Sequence, residues 1–153
     1  MRRWILAGAL LLLALGFAGT APAVAVVALL FAGRSVAQEP VCQLSTHMLD
    51  TSRGVPAADV RVTLSRLAED GSWQPVAERR TDRNGRIADL LPLGGQPNDG
   101  VYRLRFETAP YFEALGERSI YPWVEVVFRI EGRGHYHIPI TMSANGYATY
   151  RGN

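Results

Sequence analysis

The chain has 153 residues, enough for one domain plus an appendage, and carries 16 basic against 14 acidic residues for a formal charge of +2. Three of the basic residues (Arg2, Arg3 and Arg34) precede position 38, so residues 38–153 hold thirteen Arg, no Lys and fourteen acids, a net of about −1. That balance excludes a basic nucleic-acid-binding surface, and the single cysteine, Cys42, excludes an internal disulfide.

Met1-Arg2-Arg3 opens the chain, and Trp4 to Ala32 follow without a charge and with only Thr20 clearly polar. A positive start, a long apolar run and the small-residue segment Ser35-Val36-Ala37 before Gln38 read as a secretory leader cut after Ala37. The run also exceeds the ~20 apolar residues that span a bilayer core, so an uncleaved anchor is the alternative. The domain expectation is therefore 1–37 as signal or anchor and 38–153 as a periplasmic domain, touching the membrane only if the leader stays on. With no disulfide, that domain must rely on its core or on oligomerisation. Cys42 reads as a small buried apolar residue on a strand, with a reactive thiol as the alternative.

After Glu39-Pro40 the pattern is mostly of period two. The first strand carries Leu44-Ser45-Thr46-His47-Met48-Leu49-Asp50, and the facing of His47 is open because Leu44 and Met48 do not share its parity. Val60, Val62 and Leu64 alternate with Arg61, Thr63 and Ser65 as a half-buried strand. Asp70-Gly71 turns the chain into a strand over Trp73 to Arg80, and Asp82-Arg83-Asn84-Gly85 is a hairpin-type signal. Arg86 follows, then the apolar run Ile87 to Leu91, Pro92 and a Gly-rich loop. Tyr102, Leu104 and Phe106 share one face of the next strand. Residues 110–116 predict the one short helix, with Pro110 near its start and Gly116 at its stop. Val124, Val126 and Phe128 form a strand face, and His135–Ser143 and Tyr147–Arg151 make the last two strands around Ala144-Asn145-Gly146. Seven or eight short strands with a single helix predict an all-β sandwich.

Three histidines carry the candidate chemistry. His135 and His137, at i and i+2 on a strand, project to one face about 7 Å apart by the strand rise. With His47 they match the ligand count of an open zinc site. Spacing alone also admits a solvated strand end or an acid–base pair. Arg86 is a planar fork suited to a carboxylate or an imide-like edge, and Arg151 invites the same comparison.

The segments Leu44–Asp50, Thr81–Arg86 and His135-Tyr136-His137-Ile138-Pro139, with the terminal Tyr150-Arg151-Gly152-Asn153, resemble the 5-hydroxyisourate hydrolases, the transthyretin-related enzymes of urate breakdown. The resemblance covers residues 42 to 153. It implies a transthyretin-like sandwich that dimerises edge to edge and pairs into a homotetramer, with active sites in the channel between dimers. It implies no cofactor and no metal. The family's catalytic groups fall on His47, Arg86 and His137, with Tyr150, Arg151, Asn153 and His135 at the substrate. The implied reaction opens the ring of 5-hydroxyisourate to 2-oxo-4-hydroxy-4-carboxy-5-ureidoimidazoline by attack of water on a carbonyl. His47 with Arg86 would position and deprotonate the water, and His137 would orient the ring and protonate the leaving nitrogen. Asn153 departs from the Ser that usually ends the family's signature. Two other readings remain: a carrier of a small aromatic ligand on the same fold, and the zinc site on His47, His135 and His137.

Overall fold

The computed structural model describes residues 42–152; the expected leader, its cleavage point and Asn153 lie outside the described residues. The chain runs β1 (Cys42–Asp50), β2 (Val55–Pro56), β3 (Arg61–Leu67), β4 (Trp73–Arg80), β5 (Arg86–Pro92), β6 (Gly100–Phe106), α1 (Thr108–Ala114), β7 (Val124–Ile130), β8 (Tyr136–His137), β9 (Ile140–Ser143) and β10 (Gly146–Thr149). Two sheets form. One has six strands, with β1 at its centre flanked by β5 and β2 on one side and by β8, β9 and then β10 on the other. The second is a four-stranded antiparallel sheet in the order β4-β3-β6-β7.

Alternation in the sequence becomes burial. Val62 and Leu64 on β3 and Tyr102, Leu104 and Phe106 on β6 turn inward to meet Leu44, Met48, Ile140 and Met142 from the six-stranded sheet. Each such side chain contributes about 1.5–3 kcal/mol when fully removed from water. The helix adds Phe112 to the same core. It begins two residues earlier than Pro110 suggests, and the chain leaves it at Gly116, whose φ of 75° suits only glycine without strain.

The strand β1 clarifies the facing of His47. From Leu44 onward even positions are buried and odd ones are half-buried, so Thr46 and Asp50 occupy core positions while Ser45, His47 and Leu49 share the outer face. The inward polar groups are satisfied locally. Thr46 donates its hydroxyl to the Ile138 carbonyl at 2.6 Å, and Asp50 accepts from Ser52, the Arg53 amide and the Tyr111 hydroxyl. Cys42, expected to be buried, is only half-buried; its thiol points at the Leu44 and Leu91 carbonyls.

Two local expectations are corrected. Asp82–Gly85 forms the tight turn its residues call for, but no hairpin: β4 pairs with β3, whereas β5 pairs with β1. The turn carries the chain from one sheet to the other. The final hairpin closes on Ala144-Asn145, with Gly146 opening β10, and the preceding segment breaks into β8 and β9 at Ile138-Pro139.

Candidate active site

The central position of β1 assembles the site. His47 stands opposite Arg86 in the antiparallel β1/β5 register, and Ser45 stands opposite His137 in the parallel β1/β8 register. Paired residues on adjacent strands project to the same side. Ser45, His47, Arg86 and His137 therefore gather on one face of the six-stranded sheet.

Arg86 is held there by its turn. Asp82 accepts the Asn84 and Arg86 amides on one carboxylate oxygen, each at 2.8 Å, and the Asp82 amide donates to the Arg86 carbonyl at 2.9 Å. Those bonds, that to the Arg86 amide foremost, pull the Asp82 carboxyl below the usual range. Gly85 then adopts φ 71° and passes its carbonyl to the Met48 amide at 2.8 Å, which locks the turn onto β1.

The imidazoles differ in their surroundings. His137 is half-buried; Nδ1 lies 2.9 Å from Ser45 Oγ, and the tail passes over the ring, where Gly152 bridges to His137 through its amide at 2.8 Å. His135 is exposed just ahead of β8, and its two ring nitrogens meet the Cys42 carbonyl at 2.7 Å and Ser45 Oγ at 2.9 Å. Nε2 of His47 is buried with no hydrogen-bond partner among the described residues. Burial, and after it the Arg86 guanidinium, hold both His47 and His137 below the ordinary imidazole range. For His47 a backbone hydrogen bond at Asn84 and the Asp82 carboxylate act in the opposite sense and lose. Both rings are thus neutral at neutral pH, as proton acceptors must be.

A depression of about 440 Å³, mostly polar, opens onto Ser45, Arg86, His135, His137, Tyr150 and Gly152. Arg151 turns elsewhere. Its guanidinium stacks 4.4 Å from the centre of the Tyr136 ring and lines a neighbouring, more apolar hollow with Val126, Phe128 and Ile138, which Tyr150 also borders. A larger hollow, about 580 Å³ beside α1, is lined by no histidine, and its Arg80 pairs with Asp59 at 3.0 Å. Sequence reasoning assigned no role to Ser45 or Gly152. The period-two rule could have found Ser45, two residues before His47 on the same strand.

The donor set does not fit a metal. A ligating imidazole must offer a lone pair, and both nitrogens of His135 are engaged by protein oxygens. Among the described residues no three His, Cys, Asp or Glu side chains are grouped to hold an ion.

A model of the HIUase/Transthyretin family matches residues 44–152. The chain belongs to that family. Its relatives include a probable 5-hydroxyisourate hydrolase of Schizosaccharomyces pombe, 43% identical over 112 residues, or 72% of this chain and 90% of the relative. Among solved structures, 5-hydroxyisourate hydrolase of Klebsiella pneumoniae superposes with a TM-score of 0.63 at 36% identity, covering 74% of this chain and all of that one. Transthyretin of Sparus aurata reaches 0.69 at 34% identity, covering 73% and 97%. Hydrolase and transthyretin share this sandwich, so the backbone alone does not separate catalysis from carriage. The side chains on the outer face of β1 must do that.

Proposed function

We infer that the chain is a 5-hydroxyisourate hydrolase, acting on a small polar ring in urate degradation. The observation that carries this reading is the double register on β1, which sets His47 against Arg86 and Ser45 against His137. The neutral imidazole of His137 and the Arg86 guanidinium then border a single polar depression, with His47 opposite Arg86 in the sheet. The relatives named as 5-hydroxyisourate hydrolases support the substrate.

Accessibility argues for exchanging the roles that sequence reasoning assigned to the two histidines. Nε2 of His47 is buried, whereas His137 opens on the depression. In this reading a water bound there gives its proton to His137 Nε2 as its oxygen bonds to the ring carbonyl carbon. Charge moves onto the carbonyl oxygen, which the Arg86 guanidinium stabilises. The carbon–nitrogen bond then breaks, and the proton passes from His137 to the leaving nitrogen. His47, opposite Arg86 in the β1/β5 register, backs the guanidinium, and Tyr150 closes the edge of the depression.

The homotetramer belongs to the same reading. The strands β7 and β10 end their sheets with unpaired backbone, and Val127 and Tyr147 on them are 57% and 44% exposed. Such edges are suited to pairing with a second copy, and light scattering after size exclusion would give the assembly. Export to the periplasm rests on the N-terminal sequence alone: a mature start near Gln38 supports a free protein, and a start at Met1 supports an anchor.

The deciding experiment follows the ultraviolet decay of freshly made 5-hydroxyisourate with wild type, His47→Ala, His137→Ala and Asn153→Ser. Loss of general-base catalysis lowers kcat/KM by about 10²–10⁴-fold in His137→Ala, and Asn153→Ser stays active. A carrier gives no acceleration at all, and histidine variants within about threefold of wild type would remove the mechanism.

A further inference from the structure

We propose that Ser45 and His135 are positioning residues that hold His137 in its Nδ1–H tautomer, so that the Nε2 lone pair faces the polar depression. This rests on the reading of His137 as the proton acceptor.

The hydrogens can be placed by elimination. A backbone carbonyl only accepts, so His135 Nδ1, 2.7 Å from the Cys42 oxygen, carries a hydrogen. In a neutral ring its Nε2 is then a lone pair, and the group facing it is Ser45 Oγ at 2.9 Å. Serine has one hydroxyl hydrogen, which goes to His135. The Ser45 oxygen is left as an acceptor toward His137 Nδ1, also at 2.9 Å, and that nitrogen must donate. The remaining nitrogen of His137, Nε2, holds the lone pair. The direction of the whole chain is thus set by one backbone carbonyl on the strand next to that of the base. A hydrogen bond at one ring nitrogen is what decides the chemistry available at the other.

The chain is rigidly mounted. Gln43, 1% exposed, donates its amide to the Gly132 carbonyl at 2.7 Å and accepts from Asn98 at 2.9 Å, while Asp99 accepts the Gly132 amide at 2.7 Å. The loop that delivers His135 is therefore tied to the core. On the far side of the His137 ring, the Gly152 backbone leaves no space for the imidazole to swing away from Ser45. His135 thus has a part distinct from substrate contact: it uses up the serine hydrogen. Replaced by phenylalanine, it would release that hydrogen to turn toward His137 Nδ1, and the tautomer would reverse with Ser45 still in place.

The test is a two-bond ¹H–¹⁵N correlation spectrum of the full ¹⁵N-labelled chain at about pH 7.5, above the ordinary imidazole range, with His137 assigned by its loss in His137→Gln. Wild type is expected to show a protonated Nδ1 and an unprotonated Nε2 on His137. Ser45→Ala and His135→Phe are expected to move the proton to Nε2 and to lower kcat by roughly 10–100-fold with KM within about threefold. Ser45→Thr, which keeps the hydroxyl, restores tautomer and rate. A wild-type His137 protonated at Nε2 overturns the proposal whether or not any variant folds. So does a slowed Ser45→Ala with the wild-type tautomer, since the serine would then act only structurally. The spectrum needs no turnover, so a wild type that fails to hydrolyse 5-hydroxyisourate would sink the functional reading separately.

Discussion

Gly152 lies against the imidazole of His137: a Cβ placed on this glycine would sit 2.6 Å from Cδ2 of the ring and 3.3 Å from Cγ. Glycine is required here by proximity, because the tail backbone pairs with His137 itself. In Gly152→Ala either the ring rotates off Ser45 or the tail lifts. Misplacing a catalytic group by a fraction of an ångström to an ångström costs up to about 10²-fold, so kcat/KM is expected to fall roughly 10–100-fold. The tail lies at the surface, and the melting temperature should move by no more than about 3 °C. A large melting shift with unchanged kinetics would contradict this assignment.

The pH dependence follows from His47 and His137, both held below the ordinary value of 6.5, first by burial and then by Arg86. Their neutral forms persist through the neutral range, so kcat/KM should be flat above 6.5, with its acid limb centred below that value. Stability carries the same sign. The unfolded chain takes up protons on these imidazoles at a higher pH than the folded chain does, so stability is fully present above 6.5 and declines as pH falls toward the folded values. Urea midpoints recorded beside the rate profile check both; an acid limb above 6.5 is the contrary result.

Arg86 acts through both charge and shape, and two variants separate them. Arg86→Gln removes the cation, so the acid limb should rise toward 6.5 while kcat/KM falls on the order of 10²–10³-fold with the lost oxyanion donor. Arg86→Lys keeps the cation but loses the planar fork. Its acid limb should stay near the wild-type position even as the rate drops. Equal limbs in wild type and Arg86→Gln would show that the guanidinium does not set the imidazole charge.

Gly85 links the turn at Asp82 to β1. Its φ is 71°, and an added Cβ would meet the Met48 carbonyl at 2.4 Å and the Ala57 amide at 3.1 Å. A left-handed non-glycine residue already costs roughly 1–2 kcal/mol, and the clash is with backbone, which has little freedom to yield. Gly85→Ala is expected to lose at least about 2 kcal/mol in urea unfolding with the slope unchanged. Because the same turn delivers Arg86 opposite His47, activity should fall further than the unfolded fraction explains. Wild-type stability in this variant would mean that the turn relaxes freely.

The strands were most legible where one face is plainly apolar. Tyr102, Leu104 and Phe106 read as an inward face and are buried, and Trp73–Arg80 falls on β4 with both ends as expected. The facing of His47 was not legible, because two of the inner positions on β1 hold Thr46 and Asp50, whose polarity hides the alternation until their buried hydrogen bonds are seen. Asp82–Gly85 shows a different limit. Turn chemistry sets the local backbone, but it does not say which sheet the next strand will join.

The sequence by itself determined the alternating strands, the short helix after β6, the turn at Asp82–Gly85 and the family, because each is written in adjacent residues and short periods. It also supplied His47, Arg86 and His137 as the residues to watch. Only the tertiary structure decided how they meet. The parallel pairing of β1 with β8 joins segments about ninety positions apart and turns Ser45 from an unremarked hydroxyl into the partner of two histidines. The antiparallel pairing of β1 with β5 brings Arg86 beside His47, and the returning tail presses Gly152 onto His137. Register between distant strands is a property of the packed sheets, set by which faces bury together, and no local pattern contains it.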